Sequence, residues 1–139
     1  MKLFIDANIL IATLNKQYPL FSNAARVLSL ADNKKFQLFI SPVCIAIAFY
    51  FAEKKSGRKL AKKKIALLIN KISIAEHRKE DIAEALDNPA IEDLEDGMEY
   101  YAALRAGCNY IITEDKKDFH FSSIGVLDCE DLLKQLSNK

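Results

Sequence analysis

Apolar residues in this chain fall into short unbroken runs separated by longer helical repeats. Lys2 to Ile5 is apolar after its first residue and stops abruptly at Asp6. An apolar run without polar alternation predicts a parallel strand buried on both faces. Phe36 to Ile40, Tyr110 to Thr113 and Ile124 to Leu127 read the same way, and Ile72 to Ile74 alternates as a shorter strand. Asn8 is placed to open a helix through Leu14, and Ser22 to N-cap a second helix with Ala24, Val27, Leu28 and Ala31 at helical spacing. Ser41-Pro42 supplies a cap and a first-turn proline for a helix from Val43 to about Lys55, apolar nearly all round and broken by Ser56-Gly57. From Lys59 to Asn70, Leu60, Ile65, Leu68 and Ile69 make one face and lysines the other. Lys79 to Leu86 is a helix stopped by Asn88-Pro89. Ile91 to Ala106 is a long one ended by Gly107, and Asp128 caps a last one over Glu130 to Leu136. Helical and strand signals alternate throughout, which predicts an α/β fold with a mostly parallel sheet. No repeat, low-complexity stretch or linker interrupts the pattern, so residues 1–139 read as a single domain.

Composition narrows the function classes. Half the residues are hydrophobic and 28% are charged, the balance of a soluble globular protein. Lys and Arg total 20 against 19 Asp and Glu, and the net charge of +1 gives no overall attraction to nucleic acid. Only 4 Gly and 3 Pro argue against a turn-rich β-sandwich and against disorder. The three cysteines, Cys44, Cys108 and Cys129, form no CxxC pair, which excludes a disulfide scaffold and a cysteine-based zinc site and suits a reducing cytosol. Asp6 and Asn8 interrupt the N-terminal apolar run, unlike a signal peptide. The longest apolar run, Val43 to Ala52, is too short to span a bilayer. The expected location is cytoplasmic, without membrane contact.

Candidate chemistry lies in the acids. Ligands of open parallel sheets gather at the carboxyl ends of the strands. Asp6 directly follows the first strand, and Asp115 and Asp118 follow the strand Tyr110-Ile111-Ile112. Asp93 and Asp96, three apart, share a face at the start of the long helix leading into that strand. Taken singly, each is an ordinary loop or cap residue. Gathered together they repel one another, and a hard divalent cation such as Mg²⁺ or Mn²⁺ would compensate them.

FIDANIL at the start, DLEDGMEYYAALRAGCNYIIT in the middle and TEDKKDF near the end resemble the PIN-domain family, which includes the VapC-like toxins of bacterial toxin–antitoxin pairs. The resemblance runs over nearly the whole chain, in order and at the right spacing. It implies a three-layer α/β/α fold and a ribonuclease whose acids hold Mg²⁺ or Mn²⁺ to activate water against an RNA phosphodiester. Asp6 matches the first family acid, Asn8 the polar residue two on, and Asp96 the acid of the middle helix, with Asp93 an accessory one turn earlier. Thr113 matches the small hydroxyl residue near the last motif, which holds both Asp115 and Asp118. Asp6, Asp96 and Asp115 are the expected catalytic set and Asp118 a further metal ligand, with the choice between the last two left open.

The chain departs from the family at one point. The helix after the second strand usually carries a Glu, and here the slot falls at Ile47, or at Ala46 with a register one residue off. The site is therefore a three-carboxylate variant or a degenerate one, and a binding or regulatory PIN domain without catalysis is the alternative. Asp6 also resembles the nucleophile of haloacid-dehalogenase-type phosphatases, but those want a second Asp where Asn8 stands and a longer chain.

Seven basic residues fall within eleven positions, Lys54 to Lys64. Lys54, Lys55, Arg58, Lys59 and Lys62 are candidates for RNA phosphates, against the plainer reading of a solvated helix face. His77 and His120 read as surface or loop residues, and Cys44 as a buried small hydrophobe. The resemblance adds a small antitoxin and a homodimer as partners. The consecutive aromatics Phe49, Tyr50 and Phe51 cannot all face one core, which suits an interface on the early helices.

Overall fold

The computed structural model describes residues 1–138. Five strands form one sheet: β1 (Lys2–Ile5), β2 (Gln37–Ile40), β3 (Ser73–Ile74), β4 (Tyr110–Ile112) and β5 (Gly125–Leu127). Their spatial order is β3-β2-β1-β4-β5, and every pairing is parallel. The strands are unbroken apolar runs because both faces of the sheet are covered: Leu3, Phe4, Ile5, Ile40, Ile111 and Ile112 are all fully buried.

Helices α1 (Ala7–Leu14), α2 (Phe21–Ser29), α3 (Pro42–Ser56) and α4 (Arg58–Ile69) make the connections from β1 to β3. Travel along the sheet then reverses. Helices α5 (Lys79–Asp87) and α6 (Leu94–Arg105) carry the chain back to β4, and α7 (Cys129–Ser137) closes it. With right-handed crossovers that reversal puts α5 and α6 on the face opposite α1 to α4, giving the α/β/α layering. It also makes the carboxyl ends of β1 and β4, adjacent strands whose chains leave in opposite directions, the topological switch point of the sheet. Register fixes what meets there: Ile5 lies opposite Ile112, so Asp6 and Thr113 emerge side by side.

Several element boundaries differ from the sequence expectation. Helix α1 begins at Ala7, not Asn8, because the Asp6 carboxylate caps it, accepting the Ala7 N–H. Ser22 is not a cap. The chain is already helical at Leu20, and the Ala24 N–H that a Ser22 hydroxyl would cap is bonded to the Leu20 carbonyl at 2.9 Å. The long helix starts at Leu94 instead of Ile91, since the Asp93 side chain accepts the Glu95 N–H as N-cap. His77 lies in the loop between β3 and α5. It is half-buried, and its Nε2 accepts the Val43 N–H at 3.2 Å, fixing the first turn of α3 beside the Ser41 cap.

Candidate active site

A ring of hydrogen bonds closes over the switch point. Thr113, fully buried, donates its hydroxyl to Asp6 Oδ2 at 2.7 Å and accepts the Asp115 N–H at 3.0 Å. Asn8, on the first turn of α1, donates its amide to Asp115 Oδ2 at 3.1 Å and to Thr113 Oγ1 at 3.3 Å. Asp6, Asn8, Thr113 and Asp115 thus form one connected unit drawn from the ends of β1 and β4. The sequence reading grouped these four, and the structure brings them together.

The remaining acids close in from the side. Asp93, Asp96 and Asp118 line a cavity of about 270 Å³ together with Glu92, Lys117 and His120. Asp96 is half-buried, and burial, reinforced by Asp93, Asp6, Asp118 and Glu95, pushes its carboxyl up to about 7. Asp118 is exposed, yet its carboxyl is also raised, by desolvation and by Asp115, Asp6, Asp93 and Glu92. Asp6 and Asp96 therefore belong to one electrostatic cluster, and Asp115 and Asp118 both belong to it: Asp115 tied to Asn8, Asp118 facing Asp96. Asp93 caps the start of α6 and lines the same cavity wall.

Sequence reasoning missed one member. Glu99, on α6 one turn beyond Asp96, is only 2% exposed. Its Oε1 accepts a hydrogen bond from the Cys44 thiol at 3.0 Å, and its carboxyl is pushed well above the usual range by burial first and then by Asp6. Ligand atoms of Asp6, Cys44 and Glu99 all lie within 4.8 Å of one another. The spacing Asp93, Asp96, Glu99 placed all three on one helical face and was the available signal. On α3 the side chain that meets the acids is Cys44, at the helix start. Cys44 is buried as expected, but it is a hydrogen-bond donor in the site and not merely a small hydrophobe. Ala46 is exposed, and Ile47 packs half-buried against the core.

The basic run does not join this cluster. Helix α3 starts at the site and runs for 15 residues, about 22 Å, towards the other end of the sheet. There Lys55 donates to the Asn15 carbonyl and Lys64 to the Leu14 carbonyl at 2.9 Å, so two lysines of the run neutralise the C-terminus of α1. Lys54 lies 4.9 Å over the Tyr50 ring and Arg58 pairs with Glu53 at 3.3 Å, while Lys59 and Lys62 are exposed. Lys54, Lys55, Arg58, Lys59 and Lys62, the candidates for RNA phosphates, therefore lie at the far end of α3 from the acids. The basic groups at the acids are instead Lys117 and His120.

A family model for the PIN domain matches residues 2–117. The chain is 25% identical over 138 residues to Ribonuclease VapC1 of Aquifex aeolicus, covering 96% of this chain and 94% of that protein. Its fold is similar to DNA-bound VapBC from Salmonella typhimurium, with a TM-score of 0.71 at 18% identity over 93% of this chain and 98% of the other. It is also similar to Mycobacterium tuberculosis VapC20, a sarcin–ricin loop cleaving toxin, with a TM-score of 0.63 at 12% identity over 78% and 86% of the two chains. The five-stranded parallel sheet, the acids at its switch point and the match over residues 2–117 agree, and the chain belongs to the PIN-domain family.

Proposed function

We propose that this chain is a divalent-cation-dependent ribonuclease that cleaves RNA phosphodiesters as the toxin of a toxin–antitoxin pair. The observation that carries the reading is the gathering of Asp6, Asp96, Asp115 and Asp118 at the switch point with no ion pair to Lys or Arg for any of them among the described residues. Such a set is unstable as free carboxylates and suits a hard cation. The donor set fits: oxygen ligands from three chain segments, one of them pre-oriented by a buried hydroxyl.

Asp6, Asp96 and Asp115 would hold Mg²⁺ or Mn²⁺, with Asp118 as a further oxygen ligand. A bound ion supplies charge to offset a phosphoryl group and lowers the pKa of a coordinated water. The protein's own part is positional. Thr113 fixes the Asp6 carboxylate and Asn8 fixes that of Asp115. The raised carboxyl of Asp96 must give up its proton to ligate the ion, so metal uptake strengthens as pH rises towards and past neutrality. Lys117 and His120, in the wall of the same cavity, face the backbone phosphates.

A purified sample supplied with Mn²⁺ is expected to cut single-stranded RNA and to stop in excess EDTA, with no turnover of a generic phosphomonoester. Full activity in EDTA would overturn the reading, and phosphomonoester hydrolysis alone would favour the phosphatase. Ile47, apolar where the family carries Glu, favours a second reading: a PIN domain that binds RNA without cutting it. RNA binding with no cleavage in Mn²⁺ is its signature.

We propose a small antitoxin and a homodimer as partners. The VapBC relatives support the first. Tyr50 and Phe51, 53% and 43% exposed on α3, support an apolar contact on the early helices. Sedimentation at tens of micromolar is expected to show a species heavier than the 15.7 kDa chain, and a purely monomeric boundary would refute the dimer.

A further inference from the structure

The family's α3 carboxylate is missing from this sequence, yet the structure puts a carboxylate in the site that the family motifs do not predict. Glu99 enters from α6, on the other face of the sheet from α3. It is buried between the Cys44 thiol, which donates a weak hydrogen bond to it, and the Asp6 carboxyl, within hydrogen-bond reach. A carboxylate buried beside Asp6 with no cationic side chain is costly in the molecule as it stands. Two such groups and a thiol, with ligand atoms within 4.8 Å of one another, are spaced as the ligands of one ion.

We propose that Glu99 replaces the carboxylate that α3 lacks: with Asp6 it forms the buried pair that grips the divalent cation, and Cys44 beside them adds a soft thiolate ligand when an incoming ion displaces its thiol proton to solvent. The inference rests on the reading of the acid cluster as a cation site and names which residues do the gripping. The chemistry has two consequences. Removal of Glu99 weakens the ion as removal of a ligand does. The thiol makes the site accept thiophilic ions such as Cd²⁺ more readily than an all-carboxylate site would, because sulfur selects softer metals.

Titration calorimetry with Mn²⁺ on the full chain tests the first consequence without any RNA. Glu99→Gln keeps the shape of the side chain and removes its charge, and Mn²⁺ affinity is expected to fall by at least about tenfold. A purely structural Glu99 predicts a folded, more thermostable variant with unchanged affinity, and that result overturns the proposal. So does a wild-type chain that takes up no Mn²⁺. Cd²⁺ titration followed by the ultraviolet sulfur-to-metal charge-transfer band tests the second. The band is expected in the wild type and absent in Cys44→Ser, which retains Cys108 and Cys129. A band that persists in Cys44→Ser overturns the role of the thiol. RNA cleavage is scored separately: Glu99-dependent Mn²⁺ binding in a protein that cuts no RNA sinks the ribonuclease reading and leaves the ligand assignment standing.

Discussion

Asp6→Asn is expected to lower the rate of Mn²⁺-dependent RNA cleavage by at least about tenfold while leaving the metal-free fold intact or more stable. The substitution is nearly isosteric. Asn can still accept the Ala7 N–H that Asp6 Oδ1 now accepts at 2.7 Å, and its amide can donate to the Thr113 hydroxyl that now donates to Oδ2. What disappears is the negative charge. That charge raises the carboxyls of Asp96, Asp118 and Glu99, so without an ion its loss relieves repulsion at three neighbours. With an ion, the same loss removes a ligand. The paired outcome, a thermal midpoint that holds or rises in EDTA together with slowed cleavage in Mn²⁺, separates a metal-gripping Asp6 from one that merely caps α1. Cleavage at the wild-type rate by a folded Asp6→Asn variant would remove Asp6 from the site.

Most of this site was legible in the sequence because backbone topology does the assembling. Unbroken runs such as Leu3-Phe4-Ile5 and Leu38-Phe39-Ile40 identify strands buried on both faces, and the residue after a strand lands at its carboxyl end whatever the loops do. Asp6 and Asp115 were placed by that rule, and Thr113 by the resemblance to the family's last motif. Helix boundaries were less legible because the caps came from unexpected groups. Asp6 is at once the cap of α1 and an acid of the site, and Asp93 is at once the cap of α6 and part of the cavity wall.

Glu99 was missed for a different reason. In one dimension it belongs to the stretch Glu76 to Glu99, which holds ten acids against Arg78 and Lys79 and reads as a solvated acidic surface. Burial depends on which way the helix faces, and the neighbours Gly97, Tyr100, Ala102 and Ala103, all buried, show that this part of α6 is packed on several sides. Asp81 in the same stretch was missed likewise. It is 3% exposed and holds the Arg105 guanidinium in a bidentate contact, with Nη2 to Oδ1 at 2.7 Å, which pins α5 to α6. The basic run was ambiguous in sequence for the opposite reason. A cluster of lysines looks like a phosphate patch in sequence, but two of them close the carbonyl end of α1 on the far side of the molecule.

The pH dependence of stability gives an independent reading of how crowded the acids are. Asp96→Asn is expected to raise the thermal midpoint of the metal-free protein at pH 8 and to leave it unchanged near pH 4. Burial first, then Asp93 and Asp6, lift the Asp96 carboxyl to about 7 in the folded chain, whereas an unfolded chain titrates at about 3.9. Between those values the folded state holds a proton that the unfolded state has released, so folding loses stability as pH rises through this window. Below about pH 4 the group is neutral in both states, and Asn and Asp are equivalent. The full shift would correspond to about 4 kcal/mol, but Asp96 is only half-buried, and solvent screening reduces the expected gain to about 1–2 kcal/mol, or about 3–8 °C. Mn²⁺ is expected to reverse the order. A ligand that binds only the folded state stabilises it in proportion to its affinity, so the wild type gains more from the ion than a variant lacking one of its carboxylates. Thermal melts at pH 4, 6 and 8, with EDTA and with Mn²⁺, test both halves. A variant that is no more stable than wild type at pH 8 in EDTA would mean that Asp96 is not crowded by its neighbours, and a reversal that fails to occur with Mn²⁺ would take it out of the ion's reach.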